Sequence, residues 1–124
     1  MNWPATGAFL LALGVALGAF GAHILKERLD AYSMGLWEKA VFYHFLHALG
    51  MLIVALLPRT GTFAPAASAR VCLLLFLGIV IFSGSLYALA LTGQRVLGAI
   101  TPIGGLSMIA AWLLLTWYLM VPKL

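Results

Sequence analysis

Charge is scarce in this chain. Only 8% of its 124 residues are charged, and three are acidic: Glu27, Asp30 and Glu38, all in one short stretch. A soluble domain carries about 25% charged residues, so a fully water-solvated surface is excluded. Cys72 is the only cysteine, which excludes an intrachain disulfide and a cysteine-built zinc site. Long polar and low-complexity segments are missing too, leaving no room for a soluble domain or a linker. No Ser-His-Asp arrangement, phosphate loop or dinucleotide fingerprint is present. The net charge of +4 and pI near 9.7 come from seven basic residues scattered between apolar runs. They form no patch that would serve nucleic acid and mark the ends of spans instead.

Apolar sequence is abundant: 65% of residues are hydrophobic and the mean hydropathy is +1.12. A bilayer-crossing helix needs roughly 20 mostly apolar residues. Four such spans fit, approximately Pro4 to Leu25, Leu36 to Leu57, Ala66 to Leu91 and Pro102 to Val121. The pattern predicts one integral membrane domain, an all-α four-transmembrane-helix bundle. The first segment lacks a basic n-region and is longer than a signal-peptide core, so it reads as a retained span. Between the first two spans, Leu25, Leu29, Tyr32 and Leu36 recur at helical spacing. They predict a short amphipathic helix in the interface, a turn at Gly35 and Trp37 at headgroup depth. A bend is expected near Ser83-Gly84-Ser85 in the long third span. Thr101 and Pro102 read as the N-cap and first residue of the fourth. Both termini then share one side. Arg59, Arg70 and Lys123 there oppose Lys26, Arg28, Lys39 and Arg95, a balance that sets no orientation.

Span one is banded. Gly7, Gly14, Gly18 and Gly21 form one stripe, while Ala5, Ala12, Ala16 and Ala19 lie nearly opposite. Small faces let helices approach closely in lipid, which predicts a central span with neighbours on two sides and the glycine stripe as a contact face.

Polar side chains gather at the depth reached from the first connection. His44 and His47 share a face of span two, His23 closes span one, and Tyr43, Ser83, Ser85, Tyr87 and Thr101 fall nearby. Ionisable groups in hydrocarbon are expensive and mark interior sites. Three readings compete for this candidate polar pocket. One is a metal or haem site on His23, His44 and His47. It lacks a carboxylate or thiolate at matching depth, and the two neighbouring rings do not supply opposed axial ligands. The second is a set of interhelical hydrogen bonds that fix register. The third is a ligand-binding or proton-handling pocket. No cofactor is expected on these grounds.

The residues also carry a family resemblance. Gly18-Ala19-Phe20-Gly21-Ala22-His23 with Leu25-Lys26, then Tyr43-His44-Phe45-Leu46-His47-Ala48-Leu49, then Phe82-Ser83-Gly84-Ser85-Leu86-Tyr87, then Thr101-Pro102-Ile103-Gly104-Gly105 and Trp112 occur in that order. Together they resemble domain of unknown function 423, a family of small, mostly bacterial membrane proteins to which the eukaryotic transmembrane protein 256 is similar. The resemblance implies a multi-span protein of the bacterial cytoplasmic membrane and no established activity, so no catalytic residue is carried over. His23, His47, Ser83, Tyr87, Thr101 and Pro102 match motif positions. At His44 the resemblance leads one to expect glutamine as often.

The expectation is a non-enzymatic interaction or accessory subunit, embedded in the lipid bilayer and acting through helix packing as a homo-oligomer or with a membrane partner. The alternative is a histidine-lined pocket for a metal, haem, quinone or proton. A transporter ranks third, because one short bundle offers little for alternating access.

Overall fold

The computed structural model of the chain describes residues 1–121, so Lys123 lies outside the described residues. Helix α1 is Trp3–His23, α2 is Ala31–Leu56, α3 is Pro65–Gly78, α4 is Gly84–Thr92 and α5 is Leu97–Met120. A π-helical segment, Ile79–Ser83, joins α3 to α4, so the third span is continuous from Pro65 to Thr92. Four helical stretches are therefore long and apolar enough to cross a membrane.

Local chemistry sets the ends. Asn2 caps α1, its side-chain oxygen accepting from the Ala5 N–H at 3.1 Å, and Pro4 follows where a missing N–H is harmless. Asp30 caps α2 by accepting from the Ser33 N–H at 2.8 Å, and these Ser33 contacts hold its carboxyl below the ordinary carboxylate range. Pro65 opens α3. Gly93 closes α4 in the left-handed region, φ 70°, where a side chain would be strained.

Several boundaries differ from expectation. The first connection forms no separate amphipathic helix: a single 3-10 turn, Leu25–Glu27, leads to Asp30, and α2 runs straight through Gly35. The Asp30 cap starts α2 early, and Leu25 and Leu29 pack on Trp37 rather than on the membrane surface. Trp37 is accordingly core, 3% exposed, with its indole N–H donating to the Leu17 carbonyl at 3.0 Å. Helix α5 begins at Leu97, so Thr101 is not its cap and Pro102 lies inside the helix. Pro102, in the second turn and exposed, has no N–H to offer the Gly98 carbonyl one turn back.

The irregularity in span three lies just before Ser83-Gly84-Ser85. Val71, Leu75, Ile79 and Ser83 are all buried and recur every four residues. At 3.6 residues per turn, each such step overshoots by about 40°. The wider π turn absorbs that drift and keeps all four on the core side.

Span one is not central. Helix α2 and the third span form the middle of the bundle, with 39% and 44% of their spanning windows buried, against 22% for α1 and 17% for α5. Helix α1 packs chiefly on α2, and α5 on the third span. The glycine stripe is the reason α1 fits so closely. A Cβ at Gly7 would meet the Leu52 backbone at 3.1 Å, one at Gly14 the Phe45 ring at 3.3 Å, and one at Gly21 the Trp37 indole at 2.5 Å. Gly18 is looser, 3.5 Å from Val41. The stripe is thus covered within the chain and is no free contact face. Across the bundle, a Cβ at Gly104 would run into the Phe82 backbone nitrogen and one at Gly78 would meet Met108 at 2.5 Å. These two glycines let α5 lie directly on the π segment.

Candidate functional site

His44 sits near the middle of α2, roughly 20 Å from its first residue at 1.5 Å per residue, and is 2% exposed. Its Nε2 lies 2.7 Å from the Leu10 carbonyl oxygen and its Nδ1 2.9 Å from the Tyr87 hydroxyl. A carbonyl only accepts, so Nε2 carries the proton. In the neutral ring Nδ1 then accepts from the Tyr87 O–H. One imidazole thereby joins α1, α2 and α4.

His47 behaves differently. Its Nδ1–H donates to the Tyr43 carbonyl one turn back, at 2.8 Å. Its ring stacks on Tyr43, with centroids 5.8 Å apart and planes 8° from parallel, and lies 5.8 Å from Trp112 of α5. Tyr43 also meets Phe82 at 4.5 Å. His47 therefore looks toward α5 and the π segment, away from the Leu10 and Tyr87 partners of His44.

The hydroxyls are similarly engaged. Ser83, fully buried, donates to the Ala40 carbonyl at 2.7 Å, tying the π segment to α2. The Ser85 and Thr101 hydroxyls are hydrogen-bonded at 2.5 Å, joining α4 to α5. Each has a single hydrogen, so the chain of bonds ends on the Phe82 or the Leu97 carbonyl. His23 stands apart, exposed at the end of α1.

The residues of the expected pocket are drawn into four distinct contacts: His44 with Tyr87, His47 with Tyr43, Ser83 with Ala40, and Ser85 with Thr101. Of the eight residues expected there, Thr101 borders a groove of about 310 Å³ beside Leu36, Lys39 and Pro102. A metal centre on the three histidines does not fit this geometry. Both nitrogens of His44 are engaged, His23 is remote, and no three His, Cys, Asp or Glu side chains come together among the described residues.

Other ties have partners that the sequence does not mark. Ser68 donates to Val54 at 2.8 Å, Cys72 to Met51 at 3.7 Å and Ser107 to Leu74 at 2.8 Å, all through backbone carbonyls on another helix. The far half of the bundle uses Ser68 and Cys72 in this way. Their only signal is a small polar residue isolated in an apolar run. No buried side-chain nitrogen or oxygen among the described residues is left without a partner, and in lipid that satisfaction must be internal.

The model of a family described as protein of unknown function, DUF423, matches residues 17–105. The UPF0382 membrane protein SH2409 of Staphylococcus haemolyticus is 50% identical over 109 residues, covering 88% of this chain and 87% of its own length. The UPF0382 membrane protein YwdK of Bacillus subtilis is 43% identical over 110 residues, covering 88% of each. No solved structure matches. With four spanning helices, a family model matched over most of its length and relatives at this identity, the chain belongs to the DUF423 family of small integral membrane proteins.

Proposed function

We propose that the protein is a non-enzymatic interaction subunit whose working surface is the outer face of α1. One observation carries this reading. The glycine stripe of α1 is covered by α2, yet Ala5, Ala12, Ala16 and Ala19 on its other side are all exposed. Small side chains on a lipid-facing helix let a second helix approach closely, where packing drives association. The interior supports the same reading, because His44, Ser68, Ser83 and Ser107 are committed to bonds between helices. The partner is a second copy of this chain or another membrane protein.

Cysteine cross-linking in native membranes tests the proposal, since Cys72 is buried and contributes little background. Ala12→Cys and Ala16→Cys should cross-link, to each other or to a partner, whereas Leu113→Cys on α5 should not. A strictly monomeric particle with no adduct at either alanine would defeat the idea.

A second reading, a ligand at the histidines, has one specific observation in its favour. His47 Nε2 makes no hydrogen bond among the described residues, and with Nδ1 protonated it is an acceptor suited to a hydroxyl such as that of a quinol. Optical spectra and lipid extraction of purified protein, compared with His47→Gln, decide it. No bound chromophore and an intact phenotype in His47→Gln would end this reading.

A further inference from the structure

Two cavities at the end of the bundle that carries the first and third connections form one cleft. The outer one, about 720 Å³, is lined by Asp30, Tyr32, Ser33 and Arg95, and the inner one, about 310 Å³, by Leu36, Lys39, Phe82, Leu86 and Pro102. Tyr32, Leu89 and Gly98 line both, so the wet mouth opens directly into a greasy groove between α2, α4 and α5. Ligand sites commonly enclose about 300–1,000 Å³.

The depth matches a lipid. Helix α2 has 26 residues, about 39 Å, against a hydrocarbon core of about 30 Å. Its charged side chains, Glu38 and Lys39, and its one serine, Ser33, lie in its first three turns, so the surplus length sits there. Lys39 is then at the hydrocarbon edge, where its stem can lift the ammonium to headgroup level. The side chains of Lys39 and Arg95 make no hydrogen bond or ion pair among the described residues. The third charged group, Asp30, already accepts from the Ser33 N–H as the cap of α2. Two free cations against one capping carboxylate leave the cleft positive, complementary to a phosphodiester that carries no amine.

We propose that this cleft holds one anionic phospholipid, its phosphate between Lys39 and Arg95 and one acyl chain along the groove below. The site is on the opposite flank from the alanine face of α1 and stands or falls independently of it.

Native mass spectrometry of the full chain, taken up in mild detergent from vesicles of equimolar phosphatidylglycerol and phosphatidylethanolamine, tests the proposal. Phosphatidylglycerol should be retained in preference. Lys39→Gln and Arg95→Gln should each lower its occupancy about fivefold, the effect of one basic residue near an anionic membrane surface. Lys26→Gln with Arg28→Gln, on the same side but outside the cleft, should leave it unchanged. Gly98→Leu should block retention without altering any charge. A Cβ there meets only Leu89, at 3.6 Å, so the fold tolerates the start of a side chain, and circular dichroism verifies this. Equal retention of phosphatidylethanolamine would overturn the proposal. So would an equal loss in the Lys26 and Arg28 variant, or undiminished retention in both Gly98→Leu and Lys39→Gln with Arg95→Gln.

Discussion

Gly104 and Gly105 are adjacent in α5, yet alanine should act in opposite directions at the two positions. At Gly105 a new Cβ finds only the edge of the Phe82 ring, at 3.7 and 3.9 Å, which is ordinary contact. The substitution gains helix propensity, up to about 1 kcal/mol. At Gly104 the same methyl would run into the backbone of Phe82, 2.8 Å from its Cα. Backbone cannot swing aside as a flexible side chain can, so α5 must retreat from the π segment. Retreat loosens Met108 against Gly78 and stretches two bonds that tie α5 to span three, Ser85 to Thr101 and Ser107 to Leu74. Overpacking costs about 1–3 kcal/mol, and membrane side-chain hydrogen bonds average about 0.6 kcal/mol each. Set against the propensity gain, Gly104→Ala should destabilise by about 2 kcal/mol, roughly a 30-fold shift in the unfolding equilibrium. Unfolding in mixed micelles with increasing dodecyl sulfate, followed by circular dichroism, measures both variants on one scale. Equal stability of the two, or a more stable Gly104→Ala, would refute the close packing of α5 on the π segment.

Three further outcomes follow from the same geometry. His44→Phe, Tyr87→Phe and the double variant should show a coupling of about 0.6 kcal/mol, and no more than about 1.7 kcal/mol, in the same unfolding assay; additive effects would mean the hydrogen bond is not formed. Cys72 is fully buried against Met51, so a maleimide should label it only after denaturation, and rapid labelling of the native protein would contradict the α2–α3 contact. Asp30 has its folded carboxyl below the ordinary range because the Ser33 backbone N–H favours the ionised form. Its stabilisation of the α2 start is therefore complete above the ordinary carboxylate range and lost as pH falls through the lowered value. Protection of the Ser33 amide, taken relative to its intrinsic exchange rate at each pH, should fall across that acid window in the wild type and stay level in Asp30→Asn.

The four spans were legible because a bilayer demands long apolar runs, and no other arrangement of so few charges satisfies them. The ends were less so. Asp30 three residues before Ser33 is an ordinary cap signal, but it was overshadowed by the apolar spacing of Leu25, Leu29, Tyr32 and Leu36, which reads equally as a separate helix. Thr101-Pro102 reads as a start because the pair is common there. Only the buried Thr101 hydroxyl, turned to Ser85, shows that it belongs to the helix interior. At the candidate site the side chains were visible and their partners were not. His44, Ser83, Ser68 and Ser107 stand out as polar residues in apolar runs, but each meets a backbone carbonyl, at Leu10, Ala40, Val54 and Leu74. Every residue has such a carbonyl, so the acceptor leaves no mark in the sequence. A carbonyl oxygen has a second lone pair beyond the one used within its own helix, so these ties form without breaking helical bonds.

That choice of acceptor explains how the bundle is ordered. Side chain to carbonyl bonds join α1 to α2 through Trp37 and His44, α2 to span three through Ser68, Cys72 and Ser83, and span three to α5 through Ser107. Each neighbouring pair thus has at least one directional contact that fixes depth as well as distance. Lipid-facing apolar side chains alone would leave depth free, because sliding one greasy helix along another changes little hydrophobic burial in a bilayer. Buried His44 is accordingly best understood as the pin between α1, α2 and α4.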